Sequence, residues 1–397
     1  MVEKEVQSSK EGNNKMLEEN SLNQGESLAK LDDSIKQIEK AKKKKEIQGT
    51  IIQIPVNNGE KATEEEFLSI LKTVSPGTNL RSAVDGIIKA ECGAIIVIEN
   101  EQIPSLMDGG FRVNCRFTPQ RLVELAKMDG ALILSKDIKK INDANVLLTP
   151  DAKIKTSETG TRHKAGERTA KQAGTLVIVI SERKNEVTLF YKNIRYPLKS
   201  ADIVLRRANE HLQHLEKQRE IFDREIDKLN KLELRNHPSL NKALTAIQKG
   251  RIIQKISSDL KKSIIELGNE GTLIKTRLRE ITRDVDKELN LIIKDYTKLD
   301  LKKSKLLIET LTYDEILDEK NILRALAYEK SSQGSAIKGW RILSKTSLQE
   351  PDIASLIKSL GSLGKAIHSN INEYIKAIGD EKARLFMEEI NRIKINQ

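Results

Sequence analysis

At 397 residues the chain is long enough for two or three domains of ~100–200 residues each and for at least one sizeable core. Its 69 Lys and Arg against 58 Asp and Glu leave a formal net charge of +11, which suits a polyanion partner without identifying one. Aromatics at 3% argue against base stacking as the main activity, and two cysteines cannot build a disulfide framework or a zinc cluster. The longest apolar runs, such as Ala94–Ile98, are far shorter than the ~20 residues a membrane-spanning helix needs. No apolar stretch follows Met1, so the expectation is a cytoplasmic protein that makes no use of a membrane.

Residues 1–48 carry ten acidic and ten basic side chains and close on the run Lys42–Lys45. With so few apolar residues, the segment 1–58 is expected to be a disordered or loosely helical extension. Helical patterns follow at Glu64–Val74, ending before Ser75-Pro76-Gly77, and at Leu80–Ala90. The run Gly93–Ile98 is too short for a helix and rich in β-branched residues, so it reads as a buried strand. Further strands are expected at Ala131–Leu134, Leu176–Ile180 and Val187–Tyr191, separated by helices at Pro119–Lys127 and Arg168–Ala173. This alternation predicts an α/β layer structure with a largely buried sheet.

After Pro197 the strand patterns stop. Apolar residues at Leu205, Ala208, Leu212, Leu215, Phe222, Ile226 and Leu229 form a stripe along one long helix, and helical patterns continue at Ile252–Leu267, Leu273–Tyr296 and Tyr313–Tyr328. Ser331–Ser335 reads as a linker, and the remainder as short helices punctuated by Pro351, Gly361, Gly364 and Gly379.

Two local patterns carry chemistry. Thr156-Ser-Glu-Thr-Gly-Thr-Arg-His-Lys-Ala-Gly-Glu-Arg-Thr169 gathers hydroxyls, glycines, cations and a histidine between a loop and a helix. Unobstructed N–H groups and the positive end of the helix dipole suit a polyphosphate, with Arg162 and Lys164 as fixed charge and His163 as a donor. Asp129-Gly130-Ala131 opens a strand: the small residues admit a close backbone approach, and the carboxylate suits Mg²⁺ or Mn²⁺. Taken singly, Asp-Gly is equally the commonest turn dipeptide. There is no Gly-x₄-Gly-Lys-Ser/Thr loop, no Gly-x-Gly-x-x-Gly fingerprint and no Gly-x-Ser-x-Gly elbow. His211 and His214 share a helix face with no third ligand nearby and read as surface histidines. In Tyr374–Arg384, Gly379 makes a tight turn between helices beside Lys382 and Arg384, and Gly361 and Gly364 repeat the layout upstream. Such turns can grip backbone phosphates without reading bases, and a plain antiparallel helix pair fits the same residues.

Asp129-Gly130-Ala131 followed by Gly160-Thr-Arg-His163 resembles the signature of the diadenylate cyclases. Leu106–Arg112, Glu124–Asp129, Ala170–Gly174 and Ile265–Gly271 extend the likeness to about residues 63–397, and specifically to the DisA-type, DNA-integrity-scanning branch. The resemblance implies an α/β cyclase domain with a central mixed sheet flanked by helices over 59–198, a helical spine over 199–336, and a helix-hairpin-helix DNA-binding domain over 337–397. It implies a nucleotidyltransferase that condenses two ATP into cyclic di-AMP plus two pyrophosphates with Mg²⁺ or Mn²⁺. The partners it implies are branched DNA and a homo-octamer with face-to-face cyclase heads, in the setting of DNA damage and repair. It further implies that Asp129 holds the metal and favours deprotonation of the attacking hydroxyl. Gly130 and Leu132 would meet the nucleotide through their backbone, Leu148 would lie against adenine, and Thr161, Arg162, His163 and Ser181 would bind phosphates. Gly361, Gly364, Gly379, Lys382 and Arg384 would hold DNA. Against the family pattern, Lys164 replaces an arginine and loses its planar fork. Ala165 lacks a hydroxyl, Gly166 is expected to loosen the helix start, and Ala377 replaces a hairpin glycine, with weaker DNA binding as the expectation. A scaffold or ATP-sensing switch of the same fold with weakened cyclase activity is the alternative; retention of Asp129 and Thr161–His163 favours the enzyme.

Overall fold

The structure, a computed structural model, describes residues 62–330 and 337–395. The expected extension 1–58 with its lysine run, and the expected linker Ser331–Ser335, lie outside the described residues. The described residues form two compact units; one holds 62–219 with Ile253–Arg283, the other Glu220–Ile252 with the described residues from Asp284 onward.

The first unit is a mixed sheet between helices. Thr63 and Glu66 form a reciprocal capping box that starts α1 (Glu64–Thr73), and the Thr78 hydroxyl caps α2 (Asn79–Lys89). The strands are β1 (Ala94–Ile98), β2 (Met107–Asp108), β3 (Phe111–Arg116), β4 (Ala131–Leu134), β5 (Lys140–Leu148), β6 (Leu176–Ser181), β7 (Glu186–Tyr191) and β8 (Ile194–Leu198), with α3 (Pro119–Leu125) and α4 (Thr161–Ala173) between them. They run in the order β2-β5-β4-β1-β6-β7-β8, and β3 also pairs with β5. The β1–β4 pair is parallel and the other described pairs are antiparallel, which makes the sheet mixed.

Side chains alternate across the sheet with the two-residue period of a strand. Ile96, Ile98, Leu132, Leu134, Ile178 and Ile180 pack with Leu71, Val84, Ile87 and Leu122 of the first three helices. Ile95, Val97, Ile133, Val177 and Val179 pack on the other side with Ala170 and Ala173 of α4. Each of these buried Val, Leu and Ile side chains contributes about 1.5–3 kcal/mol by leaving water. Because both faces are covered, β1 is buried at every position and reads in sequence as an unbroken apolar run.

Four strands were not legible beforehand: β2, β3, β5 and β8. In β5 the polar pair Asn142-Asp143 and the left-handed Asn145 (φ +56°) interrupt the alternation, and the β4–β5 register shifts there. The helix expected over Arg168–Ala173 begins earlier, at Thr161, so the cationic motif lies in its first turn. Gly166, the glycine expected to loosen that turn, is buried in α4, where an added Cβ would stand 2.5 Å from Val179 Cγ2. Its missing side chain lets the helix sit close to β6.

The long helix α5 (Ala201–Leu234) carries the expected stripe, with Ala208, Leu215, Phe222 and Leu229 buried at seven-residue intervals. It is followed by α6 (Leu240–Leu267) and α7 (Thr272–Thr282). The expected helix over Leu273–Tyr296 is two helices, α7 and α8 (Val285–Tyr296), broken at the left-handed Asp284 (φ +61°). The expected pattern over Tyr313–Tyr328 follows α9 (Leu301–Thr310) and is likewise split, into α10 (Tyr313–Leu317) and α11 (Glu319–Ala325).

The second unit closes with α12 (Trp340–Leu343), α13 (Glu350–Leu360), α14 (Leu363–His368), α15 (Ile371–Ile378) and α16 (Asp380–Ile395). Leu244, Ile247, Leu289, Ile292, Leu356, Phe386 and Ile390 share its core. Through that core runs a buried ionic cluster. Arg341, 0% exposed, donates to Glu233 at 2.5 Å, to Glu288 at 3.0 Å and to Asn230. The Tyr296 hydroxyl donates to Glu233 at 2.9 Å, and Asp295 accepts the backbone N–H groups of Gly339, Trp340 and Arg341.

Candidate active site

Strand register decides which sequence motifs meet. Parallel β1 and β4, with Ile95 opposite Ala131, bring Gly93 and Asp129-Gly130 to the same end of the sheet. Antiparallel β6, with Ile180 opposite Ala94, ends there at Ser181. Antiparallel β5, with Val146 opposite Ala131, ends there at Leu148. Arg162 joins them, since its guanidinium lies against Gly93. Residues drawn from Gly93 to Ser181 thus converge on one sheet end.

The turn before β4 is tightly constrained. Gly130 has φ +90°, and a Cβ there would lie 2.7–2.9 Å from backbone atoms of Asn145 and Val146. Only glycine satisfies both conditions. Asp129 is exposed beside it, whereas the Leu132 side chain is buried, leaving the backbone of Leu132 as the part able to meet a ligand. Leu148 is also mostly buried, within the core on the α4 side of the sheet.

Thr161, Arg162 and His163 occupy the first turn of α4, and the N-cap Gly160 supplies no side-chain acceptor for the turn's N–H groups. Those groups and the helix dipole favour an anion. Burial holds the His163 imidazole below its ordinary pKa, an effect that outweighs the opposing charge of Glu158; Arg195, Arg162 and Lys184 push the same way as burial. His163 is therefore a neutral donor at pH 7 rather than a fixed cation. Its ring meets Phe190 edge-on, with centroids 6.5 Å apart.

Sequence reasoning missed what holds this turn in place. Glu167, 2% exposed, accepts from the Thr156 hydroxyl and from Lys171 Nζ at 2.6 Å. Lys171 also donates to the Lys155 carbonyl at 2.8 Å, and Arg168 Nε donates to the Ile154 carbonyl at 3.0 Å. The Asp151 N–H donates to Gln172 at 2.8 Å, and Glu158 pairs with Arg195 of β8. One face of α4 thus straps the loop after β5 along its length. The available signal was a carboxylate, Glu167, amid glycine and small residues on a helix that must bury that face.

Residues 81–194 match the family model described as DisA bacterial checkpoint controller nucleotide-binding, and residues 198–335 match the DisA bacterial checkpoint controller linker region. A DNA integrity scanning protein DisA from Acetivibrio thermocellus is 37% identical over 346 residues, covering 84% of this chain and 96% of that relative. The protein of the same name from Bacillus subtilis is 37% identical over 342 residues, covering 83% and 95%. The chain belongs to the DisA family. The family's diadenylate cyclase activity, with ATP as implied substrate and a divalent metal as implied cofactor, is accordingly this chain's.

Among the described residues no group of three or more His, Cys, Asp or Glu side chains stands ready to hold an ion. A divalent ion such as Mg²⁺ that keeps several waters and is also bound by substrate phosphates needs only one or two carboxylates from the protein. The exposed Asp129 supplies that kind of ligand.

The other nominated residues lie in the second unit. Gly361 and Gly379 end α13 and α15 in positive-φ conformations (+79° and +85°) with open space where a Cβ would be. Gly364 differs: a Cβ there would meet the Asn236 side chain at 2.2 Å, so its size is set by packing. Lys382 pairs with Asp352 at 2.8 Å and Arg384 with Asp380 at 3.0 Å. Exposed pairs of this kind are worth ~0–1 kcal/mol, weak enough to be exchanged for a phosphate. No helix among the described residues is long and apolar enough to cross a membrane.

Proposed function

We propose that the protein condenses two ATP molecules into cyclic di-AMP and two pyrophosphates, and that DNA bound by its C-terminal helix pairs regulates this reaction. What carries the reading is the convergence of Asp129, Gly130, Leu148, Arg162 and Ser181 on one sheet end. Each 3′-hydroxyl attacks the α-phosphorus of the facing nucleotide, forming a P–O bond as the bond to pyrophosphate breaks. Two half-sites must face one another, which calls for cyclase heads apposed in pairs; the homo-octamer is the assembly proposed to hold them so.

The backbone of Gly130 and Leu132 receives the nucleoside, with Leu148 beneath adenine. Thr161, His163 and cationic Arg162 hold the phosphates, with Ser181 at the same sheet end, and donors fixed in advance stabilise charge developing on phosphorus. Asp129 binds Mg²⁺ or Mn²⁺, which when bound neutralises phosphate charge and eases loss of the 3′-hydroxyl proton. Lys164 keeps local positive charge. In this reading residues 59–198 are the cyclase domain, 199–336 a spine, and 337–397 a helix-hairpin-helix domain. There Gly361, Gly364, Gly379, Lys382 and Arg384 serve branched DNA, with weaker affinity where Ala377 stands. A nucleotide substrate and a DNA ligand would suit a cytoplasmic protein.

The test is direct. Full-length protein incubated with ATP and Mg²⁺ or Mn²⁺ should form cyclic di-AMP, detected by mass spectrometry, and Asp129→Asn should abolish it while leaving the oligomer intact. Near-native turnover by Asp129→Asn would remove the metal assignment. Deleting residues 339–397 should abolish the response to branched DNA and spare basal activity.

A further inference from the structure

We propose that Gly93 is a positioning residue for cyclisation, its missing side chain forming the seat on which the Arg162 guanidinium rests. The inference deepens the reading of Arg162 as a phosphate ligand and depends on it. A Cβ at Gly93 would lie 1.9 Å from Arg162 Nη1, 2.8 Å from Cζ and 3.3 Å from Nη2. No side chain fits there while Arg162 keeps its place.

The backbone does not ask for glycine at this position. Gly93 is absent from the chain's positive-φ glycines, so access to the left-handed region is not what the position needs. It directly precedes the buried Ala94 that begins β1, so the strand cannot retreat from the contact. Nor can the helix. Gly166 sits against Val179 of β6, and the buried Glu167 is tied to Thr156 and Lys171. The mobile party is the end of the Arg162 side chain. A methyl group at position 93 therefore moves the guanidinium and little else. That separates Gly93 from Gly130, where the colliding atoms are backbone and the φ is +90°.

The guanidinium's planar fork works only when aimed at its anion. Displacing a reacting or positioning group by ~1 Å can cost ~100-fold in rate. In the full-length protein, with cyclic di-AMP formation from ATP measured at saturating Mg²⁺ or Mn²⁺, Gly93→Ala is expected to lower kcat/KM by ~10–100-fold, with an unchanged thermal unfolding midpoint. A residue acting only through another shows no separate effect once that other is gone. Gly93→Ala should thus cost less than about twofold on an Arg162→Ala background. The same near-neutrality is expected on Arg162→Lys, whose slimmer ammonium end leaves room for the methyl group.

The outcomes separate the two readings. If Arg162→Ala is impaired while Gly93→Ala is near wild type, the seat has no role and the proposal falls alone. If the Gly93→Ala loss persists undiminished on both Arg162 backgrounds, or if the unfolding midpoint falls equally on all three, Gly93 serves strand packing and the proposal is overturned. If Arg162→Ala keeps wild-type kinetics, the phosphate-ligand reading fails and the seat fails with it.

Discussion

Replacing Gly130 by alanine isolates the constraint on the turn that presents Asp129. A Cβ needs about 3.4 Å from its neighbours for ordinary contact and would have 2.7 Å to the carbonyl carbon of Asn145, so β4 and β5 must part by roughly 0.7 Å. The colliding atoms are backbone on a paired strand and cannot swing aside. Overpacking of this kind costs ~1–3 kcal/mol, and holding alanine at φ +90° adds ~1–3 kcal/mol. At ~2–4 °C per kcal/mol, the unfolding midpoint should fall by several degrees or more. A shift of that size at Asp129 should also lower cyclic di-AMP formation at least about tenfold, given ~100-fold for ~1 Å. Gly109→Ala is the matched control, because Gly109 has φ +63° but nothing within 4 Å of an added Cβ. Calorimetry and steady-state kinetics on both variants decide the matter. If Gly130→Ala behaves like Gly109→Ala in stability and rate, the close approach of β5 does not constrain the turn.

Arg341→Met should destabilise the protein by ~3–5 kcal/mol in urea titration, because it strands Glu233 in the core, and adding Glu233→Gln should recover part of the loss; a cost below ~1 kcal/mol would show that the cluster is not desolvated. Burial lowers the His163 pKa, so the folded state binds that proton less tightly than the unfolded chain. Its contribution is then complete above the ordinary value of 6.5 and is lost as pH falls below it toward the lower folded value. His163→Gln should accordingly flatten the dependence of the unfolding midpoint on pH as the pH falls below ~6.5, and an unaltered slope would assign the dependence to other groups. Lys382→Ala combined with Arg384→Ala should weaken binding to any DNA sequence alike and reduce the slope of log affinity against log salt by roughly 2; an unchanged slope would place the phosphate contacts elsewhere.

Strands β1, β4, β6 and β7 were legible because each is a short, mainly apolar run covered on both faces, and β1 and β6 are largely β-branched. The stripe along α5 was legible because a seven-residue repeat survives in the sequence whatever the helix packs against. The Asp129–Ala131 and Thr161–His163 motifs stood out because acid, glycine, hydroxyl and cation are crowded into a few residues. These are local properties, carried by spacing along the chain.

What the tertiary structure decided is which of those pieces touch. Only strand register puts the ends of β1, β4, β5 and β6 side by side, and register depends on partners tens of residues away. No spacing rule places the Arg162 guanidinium on Gly93 or turns Glu167 inward to strap the loop before it. No local signal announces that Val179 lies against Gly166 or Asn236 against Gly364. Arg341, one cation among 69, is the one that Glu233, Glu288 and Asn230 surround from helices more than fifty residues distant. Residue type and local period follow from the chain itself, whereas close approach and the burial of charge come from contacts that exist only once the distant segments have packed.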